Sequence, residues 1–174
     1  YFGVPELQIM KQLGFDAMAA GNHEFGYTPG VLNDVLSTAF ADGAFPILSA
    51  NLDMNGFPDL KNWITPYTIK TIEGVHVGIF GMTVPGDPMA MPDPVVIRDD
   101  LVPVATQTVA DMKNAGADVI ILLSHLGSLY DQQIASSVAG INFIVGGHDH
   151  FLFEQPLSVP NPGGTQTLIF QAGE

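Results

Sequence analysis

The sequence of 174 residues contains no cysteine, only five lysine and arginine residues, and no long apolar run. Without cysteine, disulfide bonds and thiolate ligands are excluded, so any bound metal must be held by nitrogen and oxygen donors. The five basic residues face 18 acidic ones, a formal net charge of −13, which disfavours binding to nucleic acid and to anionic membranes. No apolar run approaches the roughly 18 residues of a membrane span. No signal peptide is visible, since Tyr1 leads almost directly into a helical pattern.

The residues that are present indicate one compact α/β domain. Apolar residues make up 47% of the chain and charged residues 13%, which excludes a disordered chain. Short apolar runs predict strands, and apolar positions at helical spacing predict helices. The predicted helices cover 5–13, 29–40, 100–115 and 129–139, with Thr28 and Asp99 as N-caps of the second and third. The predicted strands cover 15–20, 46–51, 118–123, 141–145 and 167–171, with a hairpin at 67–72 and 75–80 and a proline-rich loop at 84–98.

Four of the five histidines lie in short, glycine-rich loops that directly follow predicted strands. These loops are Gly21-Asn22-His23-Glu24, Ser124-His125-Leu126-Gly127 and Gly146-Gly147-His148-Asp149-His150. The carboxyl ends of parallel strands face one crevice, in which ligands bind. Three loops far apart in the sequence are therefore expected to bring their imidazoles to one place, as a metal site requires. His76 instead lies in mid-strand, and we interpret it as structural or solvent-facing.

Each histidine taken alone has a simpler interpretation. A single histidine after a strand is more often a hydrogen-bonded loop residue than a ligand, and Asn22 and His23 are common loop residues. The pair His148 and His150 is a stronger indication, because in an extended segment both would point to one side while Asp149 points away. The hypothesis therefore depends on all three loops together. A bound divalent cation would also supply the positive charge that an anionic substrate needs in so acidic a chain.

Three segments together resemble the motifs of the calcineurin-like metallophosphoesterases, in particular the branch of the 5′-nucleotidases and UDP-sugar hydrolases: Gly21-Asn22-His23-Glu24-Phe25, Leu123-Ser124-His125-Leu126-Gly127 and Gly146-Gly147-His148-Asp149-His150. Further similar segments are Ser49-Ala50-Asn51-Leu52, the stretch 74–79 and the final Phe170-Gln171-Ala172-Gly173-Glu174. The resemblance implies a four-layer αββα sandwich with a two-metal centre at the strand ends. It also implies hydrolysis of phosphate esters, often nucleotides, UDP-sugars or cyclic nucleotides, commonly outside the cytoplasm.

The resemblance implies a role for individual residues as well. Asn22, His125 and His148 resemble the ligands of one divalent ion, and His150 resembles a ligand of the other. His23 resembles the histidine that stabilises the transition state or protonates the leaving group without binding metal. Two such ions (Zn, Mn, Co or Mg) can polarise a phosphoryl group and hold a hydroxide for in-line attack. An imidazolium at His23 would offset the charge that develops on the leaving oxygen.

The sequence departs from the family pattern in three places. The family begins with Asp-Xaa-His and then Gly-Asp, and the 21 residues before Asn22 contain neither motif. Gly86-Asp87 has the right letters in the wrong place and is interpreted as a turn. Gly26 stands where Asp is frequent, and that carboxylate normally orients the catalytic histidine. The chain ends at Glu174, before the C-terminal domain that binds the nucleoside in 5′-nucleotidases.

We therefore interpret residues 1–174 as one partial catalytic domain of a two-metal phosphoesterase, an αββα sandwich lacking its first strands. The expected substrate is a small phosphate ester or nucleotide, and the expected location is periplasmic or extracellular. The 174 residues alone are expected to bind at most one ion, weakly, and to hydrolyse little or nothing. The alternative is a non-catalytic α/β binding module that retains a partial metal site. Two smaller expectations are that Glu24 supports its loop and that an exposed sheet edge favours self-association.

Overall fold

The computed structural model describes residues 3–86 and 95–173, and within them the chain forms four α-helices and eleven strands. The helices are α1 (Val4–Gln12), α2 (Pro29–Ala39), α3 (Leu101–Asn114) and α4 (Ser128–Ser137). The strands are β1 (Met18–Ala19), β2 (Ile47–Leu48), β3 (Leu52–Asp53), β4 (Ile64–Thr65), β5 (Tyr67–Ile72), β6 (Val75–Thr83), β7 (Val96–Ile97), β8 (Val119–His125), β9 (Phe143–Val145), β10 (Leu157–Pro160) and β11 (Gln166–Phe170). Short 3-10 helices cover Asn22–Gly26 and Pro58–Asn62.

A six-stranded sheet in the order β10-β11-β9-β8-β6-β5 is the larger of the two main sheets. β6, β8, β9 and β11 run parallel, and the predicted hairpin of β5 and β6 is confirmed. β8 alternates buried and half-buried side chains, and its buried set packs with α3 and α4 into one apolar core. The register runs from Val77 opposite Val119 to Thr83 opposite His125. β8 therefore delivers His125 to the carboxyl edge of the sheet.

A smaller parallel sheet, β1-β2-β4, has only two residues in each strand. A second apolar core joins it to α2, and three side chains of α1 pack against that core. Thr28 caps α2 as predicted, with its hydroxyl accepting a hydrogen bond from Val31 N at 3.4 Å. The other face of the small sheet contacts β6 and β8 of the large sheet. The layers are therefore helices, small sheet, large sheet and helices, which confirms the predicted αββα sandwich.

The two sheets approach most closely at a seam formed by Ser49, Asn51, Gly81 and Thr83. A methyl group on Gly81 would lie 2.1 Å from Leu48 O, so only glycine allows this approach. Thr83 Oγ1 donates to Ala20 O at 2.7 Å and lies 2.8 Å from Ser49 Oγ. The Asn51 amide bonds both backbone groups of Thr83, at 2.7 and 2.9 Å. This fully paired polar cluster fixes the carboxyl end of β6 against the small sheet.

Several sequence predictions need correction. Asp99 is not the N-cap of α3: Asp100 occupies that position, and Arg98 binds its carboxylate, so no side chain caps the helix. The proposed loop 84–98 contains strand β7, which pairs with the unpredicted β3. Asp87 and the prolines at 88, 92 and 94 lie outside the described residues, so the turn proposed at 86–87 is described only at its first residue.

The strands predicted at 118–123, 141–145 and 167–171 are found as β8, β9 and β11, whereas the other strand predictions are too long or incomplete. β1 and β2 have two residues each, where runs of six are predicted, and β4 and β10 are absent from the prediction. In the part of the chain that the structure describes, β1 pairs with β2 alone, so the expectation of self-association through its edge stays a prediction. Within those same residues, no helix is long and apolar enough to cross a membrane.

Candidate metal centre

His125 and Asn22 bring the two sheets together at the candidate site. His125 is the last residue of β8, and Asn22 is a buried residue that begins the 3-10 helix after β1. Their side chains meet, with His125 Nε2 2.9 Å from Asn22 Oδ1. A methyl group on Gly21 would lie 2.8 Å from Glu24 Oε2 and 3.1 Å from the His125 ring, so glycine lets the loop pass close to both side chains. Residues 103 positions apart thus contribute to one polar contact.

The loop after β9 adds His148 to this pair. The rings of His125 and His148 are 5.1 Å apart at their centroids, with an angle of 63° between their planes. His148 is half-buried and His150 is exposed. The expectation of an extended segment is wrong here, because His148 has φ +81° and His150 φ +58°. Both residues adopt the left-handed conformation that side chains other than glycine rarely take, so the surrounding contacts must hold this loop.

Asp149 supplies those contacts. Its Oδ2 accepts hydrogen bonds from Ser128 N at 2.7 Å and Ser128 Oγ at 2.6 Å, at the first residue of α4. Its Oδ1 accepts from Gln171 Nε2 at 2.5 Å. Burial raises the pKa of Asp149, but the hydrogen bonds from Ser128 and Gln171 outweigh it and lower the pKa overall. Through these bonds Asp149 tethers the loop of His148 and His150 to the first residue of α4.

His23 and His150 lie within electrostatic reach of His125. Burial lowers the pKa of His125, and the charges of His148, His23 and His150 lower it further. The structure therefore brings together all four histidines that follow strand ends. His76 lies near the opposite end of β6, exposed, with its Nδ1 3.0 Å from Thr71 Oγ1.

The loop that carries His23 has its own support. Glu24 Oε2 accepts a hydrogen bond from Gly21 N at 2.5 Å, which confirms that Glu24 holds the loop. His23 is exposed on the same turn, beside the buried Asn22. Gly26, which ends this 3-10 helix, does not have a positive φ, so its backbone would also accept aspartate.

The donor atoms present can be tested against a metal ion. Oxygen and imidazole ligands bind a small divalent ion at about 2.0–2.2 Å, so two ligands of one ion lie about 3 Å apart. Asn22 Oδ1 and His125 Nε2 have that separation, with His148 beside them. Among the described residues, no three His, Asp or Glu side chains converge as a metal site. Asn22 Oδ1 and His125 Nε2 therefore have the spacing of two neutral ligands of one ion, and a second ion would need ligands in addition to His150.

Two buried residues behind the site were missed by sequence reasoning. Asp131 on α4 is 0% exposed, and Gln171 follows β11 at 5% exposure. A signal for Asp131 exists, because it lies three and four residues before Ile134 and Ala135 on the buried face of α4. Gln171 lies in the predicted strand 167–171, and the pattern there gave no reason to select its amide.

Comparisons with known proteins agree with this geometry, although no family model matches the chain. The trifunctional nucleotide phosphoesterase protein YfkN of Bacillus subtilis is 33% identical over 99% of this chain and 14% of its own length. The 5′-nucleotidase of Rattus norvegicus is 34% identical over 97% of this chain and 30% of its own. The crystal structure of the 5′-nucleotidase precursor from Thermus thermophilus superposes with a TM-score of 0.86 at 35% identity, covering 100% of this chain and 36% of that one.

The fold and these relatives define a calcineurin-like phosphoesterase, the description also given to the solved structure of YfkN. Within that class, the chain belongs to the 5′-nucleotidase family. It spans about a third or less of the length of these three relatives.

Proposed function

We propose that this chain contributes to metal-dependent hydrolysis of phosphate esters, with nucleotides as the substrate class. The observation that carries the proposal is the 2.9 Å contact of Asn22 Oδ1 with His125 Nε2, beside the His148 ring, in a chain of this family. Residues 1–174 are proposed to form one part of a catalytic domain. The names of the relatives support the substrate class, because they are nucleotidases and nucleotide phosphoesterases.

Asn22, His125 and His148 are proposed to hold one divalent ion, and His150 to contribute to a second. Bound divalent ions would polarise the phosphoryl group and lower the pKa of a coordinated water. Imidazole donors favour Zn²⁺, Ni²⁺ or Cu²⁺ over Mg²⁺ at the first position. A second ion needs further ligands, because the described residues supply no third carboxylate or imidazole to a common centre.

His23 is proposed to donate a proton to the leaving oxygen of the ester. Its exposure leaves the imidazole accessible to a substrate, and the bond from Gly21 N to Glu24 Oε2 fixes the turn that carries it. An imidazolium there also offsets negative charge on the leaving group. His23 would thus act as a proton donor, whereas its neighbour Asn22 contacts His125 and is proposed to bind the metal ion.

The chain offers little other positive charge for an anionic substrate. Lys11, Lys70 and Arg98 are each paired with an aspartate. Lys61 lies in the 3-10 helix 58–62 and donates to Asn55 Oδ1 at 3.2 Å, and Lys113 lies in the last turn of α3. None of these five belongs to the strand-end loops. Recognition of a phosphate would therefore depend on bound cations and on the histidines.

The role of His23 can be tested against His76 as a matched control. The test uses the full-length natural protein that contains these 174 residues. There, His23→Asn is expected to lower kcat by about 10²–10⁴, the usual contribution of a positioned acid–base group. His76→Asn should leave kcat unchanged. The assay uses AMP and a chromogenic phosphate ester with Mn²⁺, and metal content is measured on the same samples. A His23 variant that loses metal, or one as active as the His76 variant, contradicts the assignment.

The metal role of His148 is tested on the 174-residue chain itself. Calorimetric titration with Zn²⁺ is expected to show at most one weak site, which His148→Ala abolishes and His76→Ala preserves. Little or no hydrolysis is expected from this chain, because one ion cannot hold both the attacking and the leaving oxygen. Turnover of about 1–10³ per second, the range of typical enzymes, would show that the donor set is more complete than proposed.

A non-catalytic binding module is the second candidate. The observation that favours it is that the described residues include no convergent group of three acidic or histidine side chains. Retained AMP binding without turnover in the full-length natural protein would support this alternative. As to location, three relatives are named as snake venom enzymes and one as a precursor, and we propose a periplasmic or extracellular site of action.

A further inference from the structure

Asp131 lies completely buried behind the candidate site, with only half of its carboxylate hydrogen-bonded. Its Oδ1 accepts a hydrogen bond from Ser124 Oγ. Its Oδ2 has no hydrogen-bond partner among the described residues, and neither has Gln171 Oε1. A buried oxygen without a partner is costly, and an ionised carboxylate in that state more so. Of these two groups only the carboxyl can carry a proton, and as a neutral acid it would have a hydrogen to donate.

Both unpaired oxygens lie against the same glycine. A methyl group on Gly146 would be 2.6 Å from Asp131 Oδ2 and 3.0 Å from Gln171 Oε1. Two acceptors can approach each other favourably only when a proton lies between them. Burial raises the pKa of Asp131 to about 7; the Ser124 hydrogen bond opposes this rise and the Asp149 charge adds to it. The neutral acid is therefore available as the donor.

We propose that Asp131 is a positioning residue of the candidate site, and that its neutral carboxyl group donates a hydrogen bond to Gln171 Oε1. The Gln171 amide is then held with its Nε2 directed at Asp149 Oδ1, 2.5 Å away. Asp149 in turn tethers the loop of His148 and His150 to α4. The inference rests on the proposed function only for what those histidines bind.

The resulting hydrogen-bonded chain reaches both histidine loops. Ser124, which precedes His125 in β8, donates to Asp131. Gln171 joins the end of β11 to Asp149, which accepts from Ser128 at the start of α4. The groups that face Asp131 are Ser124 from β8, Gly146 and Asp149 from the loop after β9, and Gln171. Loss of its proton would place a second negative charge in this cluster beside Asp149.

The sign of the pH dependence follows from these groups. The ordinary pKa of the Asp131 carboxyl is 3.8, and its folded value is about 7. The stability that the neutral acid contributes is therefore complete below about pH 4 and is lost as pH rises through about 7. Thermal unfolding of the 174-residue chain, measured from pH 4.5 to 8.5 without metal, should show this fall in Tm.

A comparison of Asp131→Asn with Asp131→Ala distinguishes the hydrogen bonds of Asp131 from the space that its side chain fills. The asparagine side chain can accept a hydrogen bond from Ser124 and donate one to Gln171 at any pH. The Tm of this variant should therefore match that of the unsubstituted chain at pH 5, and it should not show the decrease toward pH 8 that comes from ionisation of Asp131. The alanine loses both bonds, and its Tm should drop by about 5 °C at pH 5. Asp111→Asn is the matched control: Asp111 is exposed and accepts from Gln107 at 2.8 Å, and its substitution should leave the pH profile unchanged.

The imidazole proton resonances report the position of the loop directly. Asp131→Ala should shift the His148 resonance and leave that of His76 in place, whereas Asp131→Asn should leave both near their original positions. The proposal is overturned if Asp131→Asn destabilises as much as Asp131→Ala, keeps the full pH dependence, or shifts the His148 resonance equally. Because these readouts use neither metal nor substrate, their failure leaves the proposed hydrolysis untouched, and the reverse also holds.

Discussion

The two sheets of this molecule differ in how extensively their strands are paired, and so in how far each sheet is stabilised without the other. The large-sheet half (β5, β6, β8–β11, α3 and α4) has seven consecutive paired residues between β6 and β8 and one continuous core. The small-sheet half (β1, β2, β4, α1 and α2) has strands of two residues, so few backbone hydrogen bonds hold it. Its position depends on its own apolar core and on the seam. The candidate site needs both halves, because Asn22 follows β1 of the small sheet and His125 ends β8 of the large sheet.

The largest effect is expected where the halves touch most closely. Gly81→Ala would place a methyl group 2.1 Å from Leu48 O, and backbone cannot move as a side chain can. We expect a loss of more than about 4 kcal/mol in the free energy of unfolding. Gly78→Ala in the same strand is the milder comparison, since its nearest atoms are the side-chain atoms Met112 Sδ at 3.0 Å and Ala117 Cβ at 3.1 Å and not backbone.

The single tryptophan shows which half fails in the Gly81 variant. Trp63 packs against the core of the small-sheet half and donates to Asn33 Oδ1 at 3.0 Å. Its fluorescence should report unfolding at lower urea concentration than the circular dichroism of the whole chain. Equal losses in the Gly81 and Gly78 variants, or coincident transitions, would contradict the contrast between the halves.

A smaller effect is expected from the hydroxyl group at the seam. Thr83→Val removes the bond to Ala20 O and the contact with Ser49 Oγ, leaving buried groups without that partner. The expected cost is about 1–3 kcal/mol in urea unfolding. Thr71→Val, at an exposed position of the same hairpin, should cost little. A seam variant as stable as the Thr71 variant would mean that these bonds do not hold the halves together.

The smallest effect is expected from the ion pair that joins the halves at the surface. Lys70 of β5 contacts Asp16, which precedes β1, at 2.5 Å. Exposed pairs contribute about 0.2–1 kcal/mol and weaken with salt. Lys70→Gln should therefore change the unfolding free energy by no more than about 1 kcal/mol, and less as the salt concentration rises. A loss of unfolding free energy as large as that of Thr83→Val would mean that this ion pair, and not the buried seam, holds the two halves together.

The same contrast explains which elements the sequence predicts. β6 and β8 carry long apolar runs with clear ends, and α2 has Thr28 before Pro29, so the sequence predicts them nearly in place. β3, β4 and β7 have two residues each, too few for any period to appear. Their pairing is decided by tertiary contacts such as the bond from Arg98 N to Asn51 O at 2.8 Å.

The sequence predicts the candidate site as a set of residues but not as a geometry. Strand ends and glycine-rich loops are sufficient to bring His125 and His148 together. The left-handed backbone of His148 and His150 is not predictable, because it depends on Asp149 binding α4 and Gln171. The spacing of Asp131 to Ile134 and Ala135 indicates a buried position, but the residue type argues against it, because an aspartate within a helix normally faces solvent.

Titration of the 15N-labelled 174-residue chain with Zn²⁺, followed by NMR, tests most directly whether the two halves form one site. We predict that the side-chain amide of Asn22 and the imidazole resonances of His125 and His148 shift together at one equivalent. The resonances of His76 should not move, and His148→Ala should abolish the shared response. Shifts confined to one half, or equal shifts at His76, would contradict a metal centre formed by residues of both halves.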